Sequence, residues 1–323
     1  MALTDEGLIE VAGFDSRWVR LGSGARAHYM TSGGSGPAVV LLHGGIIGSS
    51  GLAGWRFMAP FLGANGFRVY CPDMPGFGLS DTSPAHRPRS VADYVDFIKE
   101  FTTALCLDRF HIAGNSMGCM NTVNYVCNHP EDIISFALIA GPVGDVAPYV
   151  PLTDKAKKQV FSFDGTPESM RHMMSQIIYR ETAVTDDLIE MRTRAANNQA
   201  ESYAAIPPSL AGYIAGTQDP VQAARLKTKG RLDVCGVPGI YLYGRQDVVL
   251  PVENGYDIED SLPDIQFFYP DECGHQGQTD QPEMFNQVFL EFFRDGVVSR
   301  KTADWAGVSD RRPELASRVE KRS

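Results

Sequence analysis

The sequence has no apolar run long enough to cross a bilayer, and its first residues, Met1 to Glu6, lack the basic and apolar regions of a secretory signal. Positive charge is also scarce, since 29 Lys and Arg face 39 Asp and Glu, for a formal net charge of −10. A surface this acidic repels nucleic acid and anionic membranes, so we expect neither as a partner. An anionic small substrate is still allowed, because it needs only one local basic group. We expect a cytoplasmic protein.

Paired cysteines are absent as well. The six cysteines are scattered, with no Cys-x-x-Cys and no spacing typical of metal ligands. Cys71, Cys106 and Cys119 stand in apolar contexts, which favours buried free thiols over disulfides or zinc ligation. The sequence therefore predicts neither a metal nor a cofactor.

Apolar runs alternate with amphipathic stretches along much of the chain. The 323 residues, 43% of them hydrophobic, suffice for a large α/β domain with an insertion. Val91 to Cys106 has the apolar stripe of a helix, and a helix is also expected from Trp55 to Leu62. Strand-helix alternation predicts a mostly parallel central sheet flanked by helices, in the α/β class. The expected strands are Trp18 to Leu21, Ala25 to Thr31, Ala38 to Leu42, Phe67 to Cys71, 109–113, Ile133 to Ala140, Gly239 to Gly244 and Ile265 to Tyr269.

The alternation breaks after the sixth expected strand. Helical patterns cover Pro167 to Tyr179, Thr185 to Asn198 and Ser202 to Ala215. We interpret residues 143–220 as a helical cap over the active site, although a helical insert without such a role fits the pattern too. The core would then comprise 1–142 and 221–296. Residues 297–323, rich in Arg, Lys, Asp and Ser, would form a solvated or peripherally packed C-terminal extension.

One glycine-bracketed serine stands where an expected strand meets an expected helix, in Gly114-Asn115-Ser116-Met117-Gly118. This Gly-x-Ser-x-Gly pattern is typical of a nucleophile elbow, which presents a serine hydroxyl on a sharp strand-to-helix turn. Small neighbours let strand and helix pack closely, and the helix N-terminus points its positive end at the reacting centre. An ordinary turn would give the same five residues, so the motif needs support from elsewhere.

That support begins at His43-Gly44-Gly45, directly after an expected buried strand. Such a loop can turn its N–H groups towards a ligand. We predict an oxyanion hole formed by the backbone N–H groups of Gly45 and Met117. A flexible glycine loop is the alternative interpretation of this tripeptide on its own.

Ser116, Asp247 and His275 follow one another in the order Ser, Asp, His, each beyond an expected strand. A serine hydroxyl is a poor nucleophile near neutral pH, so an imidazole must take its proton, and a carboxylate must orient the imidazole. Among seven histidines only His275 follows a late strand in a glycine-containing loop, whereas His43 more plausibly braces the oxyanion loop. Asp271 and Asp280 are the fallback acids.

These motifs, together with Gly244-Arg245-Gln246-Asp247 and Cys273-Gly274-His275, resemble the α/β-hydrolases over about residues 15–295. Within that superfamily the chain is most similar to the meta-cleavage product hydrolases, which cleave a C–C bond in 2-hydroxy-6-oxo-hexa-2,4-dienoates. The cap stretch from Tyr179 to Arg192 carries part of this likeness. The resemblance implies a serine-dependent hydrolase acting through an acyl-serine on a small molecule, without a cofactor, and a homo-oligomer, most simply a dimer.

The resemblance also implies substrate-binding residues. An arginine matching Arg192 pairs with the dienoate carboxylate, and the residue matching Asn115 helps to position that end; from the residues alone, Arg194 is a near rival of Arg192. Gln276 stands where the family usually has tryptophan, and we count it as a substrate-binding candidate. Ala53 falls near the place of a family asparagine.

Further departures keep other functions open. Ile46-Ile47-Gly48 replaces the usual Gly-Pro-Gly after His-Gly-Gly, and Cys119 replaces a glycine after the elbow. A carboxylesterase or lactonase could use the same triad, because fold does not fix the substrate. A non-catalytic ligand-binding homologue is a further alternative, which the complete Ser, Asp and His set disfavours.

Overall fold

The computed structural model describes residues 2–81, 83–147, 162–204 and 220–321. Eight strands form one sheet in the order β1-β2-β4-β3-β5-β6-β7-β8. β1 and β2 run antiparallel to their neighbours, and the strands from β4 to β8 are parallel. The strands are β1 (Asp15–Arg20), β2 (Arg26–Ser32), β3 (Ala38–Leu42), β4 (Arg68–Pro72), β5 (Phe110–Asn115), β6 (Ile133–Ile139), β7 (Gly239–Leu242) and β8 (Ile265–Phe268). The expected fold class is therefore confirmed.

Helices pack beside this sheet and beyond its carboxyl end. They are α1 (Gly51–Trp55), α2 (Met58–Ala64), α3 (Val91–Ala104), α4 (Met117–Asn128), α5 (Pro167–Ile177), α6 (Asp186–Asn198), α7 (Ala200–Ala204), α8 (Pro220–Arg225), α9 (Val252–Ser261), α10 (Gly277–Asp280), α11 (Pro282–Asp295) and α12 (Arg300–Trp305). Short 3₁₀ turns cover Pro84–His86, Pro130–Asp132 and Glu181–Ala183. None of the helices in the described ranges is long and apolar enough to cross a bilayer.

The central strands bury both faces, as the continuous apolar sequence of β3 predicts. All five residues of β3 are buried, and so are all six of β5. α3 begins at a capping box, in which Ser90 and Asp93 exchange side-chain-to-backbone hydrogen bonds. It ends before Cys106, which is exposed and has a φ of 55°. The prediction that Cys106 is buried is therefore wrong, since the chain turns out of the helix just before it.

The helical segment follows the sixth strand, at the expected place. α5 packs on α6, and α6 packs on α1, which follows the β3 loop. The expected helix from Trp55 to Leu62 is wrong in one respect, because α1 and α2 are separate helices that meet near Phe57. Of the expected helix from Ser202 to Ala215, α7 covers the start, and residues 205–219 lie outside the described residues. The division into core and cap stays a prediction.

The C-terminal extension packs against the sheet edge. α11 ends at Gly296, whose φ of 73° reverses the chain. Val298, Ala303, Ala306 and Val319 are then buried. Val308 bridges to Phe268 of β8. Of the two arrangements expected for this extension, peripheral packing is the one that the described residues adopt.

Candidate active site

Ser116 lies in the sharp turn between β5 and α4. Its φ of 57° and ψ of −118° place it in a strained region for a side-chain-bearing residue. The flanking glycines are required by space. A Cβ on Gly114 would lie 2.1 Å from the Gly118 carbonyl oxygen, and one on Gly118 would lie 2.3 Å from the Leu42 carbonyl oxygen. The local sequence therefore forms the tight elbow that its pattern predicts.

Asp247 and His275 form a buried pair in the loops after β7 and β8. Nδ1 of His275 lies 2.8 Å from Oδ2 of Asp247. The other Asp247 oxygen accepts the N–H groups of Val249 and Leu250, at 2.8 Å each. Because a carboxylate only accepts, Nδ1 of His275 carries the proton and Nε2 carries a lone pair. Nε2 is buried without a hydrogen-bond partner among the described residues, so it is available to take a proton.

The His43 side chain fixes the loop that faces the elbow. Its Nε2 accepts the Met74 N–H at 2.9 Å, so its Nδ1 donates to the Gly44 carbonyl oxygen at 2.7 Å. Burial lowers the pKa of His43, which keeps the ring neutral in this role. A Cβ on Gly45 would lie 3.0 Å from Sδ of Met117. The structure thus brings Gly45 and Met117 side by side, as an oxyanion hole requires.

Asn115 has a different set of contacts from the one expected of a substrate ligand. Its Nδ2 donates to the carbonyl oxygens of Ile139, at 3.0 Å, and His275, at 3.1 Å. Both amide hydrogens are therefore committed to the backbone, and only Oδ1 could face a substrate. The side chain ties the end of β5 to the backbone of His275, which positions the imidazole.

The two rival arginines on α6 have different surroundings. Arg192 is only 2% exposed, its Nη1 lies 3.5 Å from Oγ of Ser49, and its Nε has no partner among the described residues. Burial, followed by the neighbouring charge of Arg56, lowers the pKa of Arg192 to about 9. Arg194 is exposed and pairs with Glu190 at 2.6 Å. Arg192 is thus the arginine placed to meet a buried anion.

The structure gives two residues surroundings that the sequence motifs did not indicate. Asp280, a fallback acid, does not bond to His275; its oxygens accept the N–H groups of Gly274 and Arg180, at 2.8 Å each. Arg56 is buried at the end of α1, and its Nη2 has no partner in the described part of the chain. A lone arginine in a short helix belongs to no motif, so nothing in the sequence marked it.

Gln276, next to His275, is 3% exposed, and its Oε1 has no described partner. A polar atom left free beside the imidazole fits a ligand contact, which stays a prediction. No group of three or more His, Cys, Asp or Glu side chains in the described ranges could hold a metal ion.

Known proteins match most of this chain in sequence alignment and in fold. A family model described as alpha/beta hydrolase fold matches residues 37–282. A 2-hydroxy-6-oxo-6-phenylhexa-2,4-dienoate hydrolase from Burkholderia cepacia is 29% identical, over 83% of this chain and 91% of that protein. A 2-hydroxy-6-oxononadienedioate/2-hydroxy-6-oxononatrienedioate hydrolase from Paraburkholderia phymatum is 30% identical, over 84% of this chain and 92% of its own length. Among solved structures, a meta-cleavage product hydrolase from Pseudomonas fluorescens superposes with a TM-score of 0.73 at 25% identity, covering 87% of this chain and 98% of that one.

Proposed function

The chain belongs to the α/β-hydrolase fold family and is a hydrolase, and we propose that it cleaves the C–C bond of a 2-hydroxy-6-oxo-hexa-2,4-dienoate through an acyl-serine. The observation that carries the proposal is Arg192, a buried guanidinium whose Nε has no partner among the described residues. Its charge adds to the effect of burial in lowering the pKa of His43. A neutral ester needs no such cation, whereas the dienoate has a carboxylate for it. Relatives named as dienoate and nonadienedioate hydrolases support the same substrate class.

In the proposed mechanism the dienol first ketonises: the C2 hydroxyl gives up its proton, the double bonds shift, and C5 gains a proton. Ser116 Oγ then attacks the C6 carbonyl carbon while Nε2 of His275 accepts its proton. Asp247 stabilises the imidazolium, and the Gly45 and Met117 N–H groups receive the oxyanion. The C5–C6 bond breaks, its electron pair passing through the alkene to the C2 oxygen. The C2 oxygen takes the proton of the imidazolium, so 2-hydroxypenta-2,4-dienoate leaves and His275 is neutral again. Water then attacks the acyl-serine carbonyl while Nε2 of His275 accepts its proton, and that proton returns to Ser116 Oγ as the carboxylic acid is released.

The proposed cap, 143–220, would close this site and contribute to it directly. α6 supplies Arg192, and the chain after α5 reaches the histidine loop. The carbonyl oxygen of Ile177 accepts the His275 N–H at 2.9 Å, and Arg180 pairs with Glu272 at 2.8 Å. Such contacts would exclude water while the C–C bond is cleaved.

A carboxylesterase or lactonase is the second candidate, since acyl transfer at Ser116 serves an ester equally well. Gln276 and Ala53 favour this second candidate. They occupy the places where the resemblance implies a tryptophan and an asparagine that bind the dienoate. The two candidates differ in whether the leaving group must carry a carboxylate.

Ser116→Ala removes the proposed nucleophile and should lower turnover of any true substrate by at least about a thousandfold, with the fold intact. The test follows loss of the visible absorbance of 2-hydroxy-6-oxo-6-phenylhexa-2,4-dienoate and, separately, release of p-nitrophenol from a short ester. Dienoate loss that depends on Ser116 supports C–C hydrolysis, and ester turnover alone supports the second candidate. Dienoate cleavage that a folded Ser116→Ala protein retains would overturn the mechanism.

A further inference from the structure

Three buried N–H donors near the oxyanion loop have no acceptor among the described residues. They are Nε of Arg192, Nη2 of Arg56 and Nε1 of Trp55. Trp55 is fully buried and Arg56 is 6% exposed. A buried donor that loses water without gaining an acceptor costs free energy, so several such donors in one region indicate a missing acceptor.

The elements that carry these donors pack on one another. α1, which ends in Trp55, contacts α6, which carries Arg192. A Cβ on Gly48 would lie 2.5 Å from the Arg192 carbonyl oxygen, and a Cβ on Gly54 would lie 3.4 Å from Cβ of His43. The end of α1 and the middle of α6 therefore lie against the loop that bears Gly45. The two guanidiniums are near enough for the charge of Arg56 to lower the pKa of Arg192.

Neither guanidinium has a counterion in the part of the chain that the structure describes. No carboxylate of the described residues lies within 4.0 Å of either one, and Asp187, which acts on Arg56 from farther away, is exposed. Nη1 of Arg56 donates to the Ala53 carbonyl oxygen at 2.8 Å, and its Cζ lies 4.3 Å from the centre of the Phe57 ring. Arg56 is therefore oriented by its own segment and still has a free donor. Two adjacent buried cations without an anion are unfavourable unless a ligand supplies the negative charge.

We propose that Arg56 is a second guanidinium of the substrate site and that Arg56 and Arg192 together hold a 2-oxido-carboxylate head group. This inference rests on the proposed function for the identity of the substrate. In that reaction the electron pair of the C5–C6 bond ends on the C2 oxygen, beside the C1 carboxylate. The leaving group thus carries two negative charges until the C2 oxygen is protonated, and two cations match them.

Arg56 also accounts for one departure of this chain. Ala53 cannot donate a hydrogen bond from its side chain, so the donor that the resemblance implies near that place is missing, whereas Gln276 offers an amide N–H in place of an indole N–H. The end of α1 supplies a guanidinium and an indole N–H in the same part of the fold. A charged, bidentate donor can replace neutral ones at a carboxylate.

The test uses Arg56→Gln and Arg56→Lys, with Arg194→Gln as the control, since Arg194 is an exposed arginine of α6 paired with Glu190. Binding of 2-oxopentanoate and of pentanoate is measured by calorimetry. Turnover is measured with the phenylhexadienoate substrate and with p-nitrophenyl acetate. Arg56→Gln should weaken 2-oxopentanoate binding by about tenfold or more, and should lower the ratio of dienoate to ester kcat/KM by a similar factor. For Arg56→Lys, both the binding of 2-oxopentanoate and the ratio of kcat/KM values should lie between those of Arg56→Gln and the wild type. Arg194→Gln should match the wild type in both.

Three results would overturn the inference: no 2-oxopentanoate binding by the wild type, unchanged binding in Arg56→Gln, or a loss of ester turnover as large as the loss of dienoate turnover. If Arg56→Gln does not fold, Arg56→Lys decides, and unweakened 2-oxopentanoate binding by that variant would also overturn it. If the wild type leaves the dienoate intact but binds 2-oxopentanoate through Arg56, the proposed function fails and the head-group site stands.

Discussion

At the scale of single residues, the elbow depends on the absence of side-chain atoms at Gly118. This glycine is the second residue of α4 and lies against the end of β3. A methyl group there would lie 2.3 Å from the Leu42 carbonyl oxygen and 3.0 Å from that of His43, well inside van der Waals contact. Both neighbours are backbone atoms, one at the end of β3 and one in the loop that follows it, and neither can rotate away. The helix would have to move, and Ser116 would move with it.

We therefore expect Gly118→Ala to destabilise the protein by about 2 kcal/mol or more and to lower turnover further than stability alone explains. Urea unfolding gives the first quantity, and kcat/KM on the best substrate gives the second. Gly22→Ala is the matched control, because a Cβ there meets nothing within 4 Å and its φ is not positive. Equal stability of the two variants would show that α4 can shift without cost.

The sequence could predict this part of the site because its requirement is local. Small residues at fixed spacing around Ser116 describe a turn of the chain on itself, and the order of Ser116, Asp247 and His275 describes the ends of strands. The sequence could not indicate the role proposed for Arg56, because that role depends on Arg192, a cation that a different helix brings beside it. The burial of Arg192, and the lack of a counterion for it among the described residues, appear only when α1 and α6 pack together.

At the scale of elements, the loop that carries His275 is held between the sheet and the helical segment that follows β6. Asp280, at the end of α10, accepts the Gly274 N–H from the histidine loop and the Arg180 N–H from the chain after α5. Burial raises the pKa of Asp280 to about 6, despite these two N–H groups, which lower it. One carboxyl group thus links the two elements that meet at the imidazole.

This raised pKa has a consequence for stability. The folded protein binds the Asp280 proton more tightly than the unfolded chain, whose aspartates titrate near pH 4. The resulting stabilisation is fully present below about pH 4 and is lost as the pH rises through about 6. Relative to Asp280→Asn, which cannot titrate, the wild type should therefore lose up to about 3 kcal/mol of unfolding free energy between pH 4 and pH 7.

Urea unfolding of both proteins at a series of pH values measures that difference. Glu272→Gln serves as the control, since it removes an exposed carboxylate from the same loop. A difference between wild type and Asp280→Asn that does not change with pH would contradict the raised pKa. If the wild type instead gains unfolding free energy relative to Asp280→Asn as the pH rises, the N–H groups lower the pKa of Asp280 by more than burial raises it.

The elements themselves were largely predictable, and their junctions were not. The buried strand β3 has a continuous apolar sequence that fixes its place in the chain, and β5 is fixed by the elbow motif that ends it. The separation of α1 from α2 has no glycine or proline signal between Trp55 and Met58. It follows from tertiary packing, because Trp55 is buried while Phe57 is 41% exposed.

At the scale of the whole molecule, the open edge of the sheet at β8 is covered by the C-terminal extension. The N–H of Tyr269 donates to the Gly307 carbonyl oxygen at 2.7 Å, and the N–H of Ser309 donates to that of Phe267 at 3.0 Å. Arg312 reaches the carbonyl oxygens of Leu262 and Ile265 beside the same strand. An uncovered strand edge is a template for pairing with another chain, so this cover suppresses association through β8.

Removal of residues 297–323 should therefore lower the melting temperature by several degrees and produce soluble aggregates, because it exposes β8 and the apolar surface under Val298 and Ala303. Removal of 321–323 alone is the matched control, since it leaves the strand cover in place. Light scattering during heating, with size-exclusion chromatography at several protein concentrations, measures both effects. The site lies at the carboxyl ends of the strands and receives no described contact from the extension, so a monomeric fraction of the long truncation should still turn over substrate. If the protein without residues 297–323 has the same melting temperature and elution volume as the control, the extension does not act by covering the edge of β8.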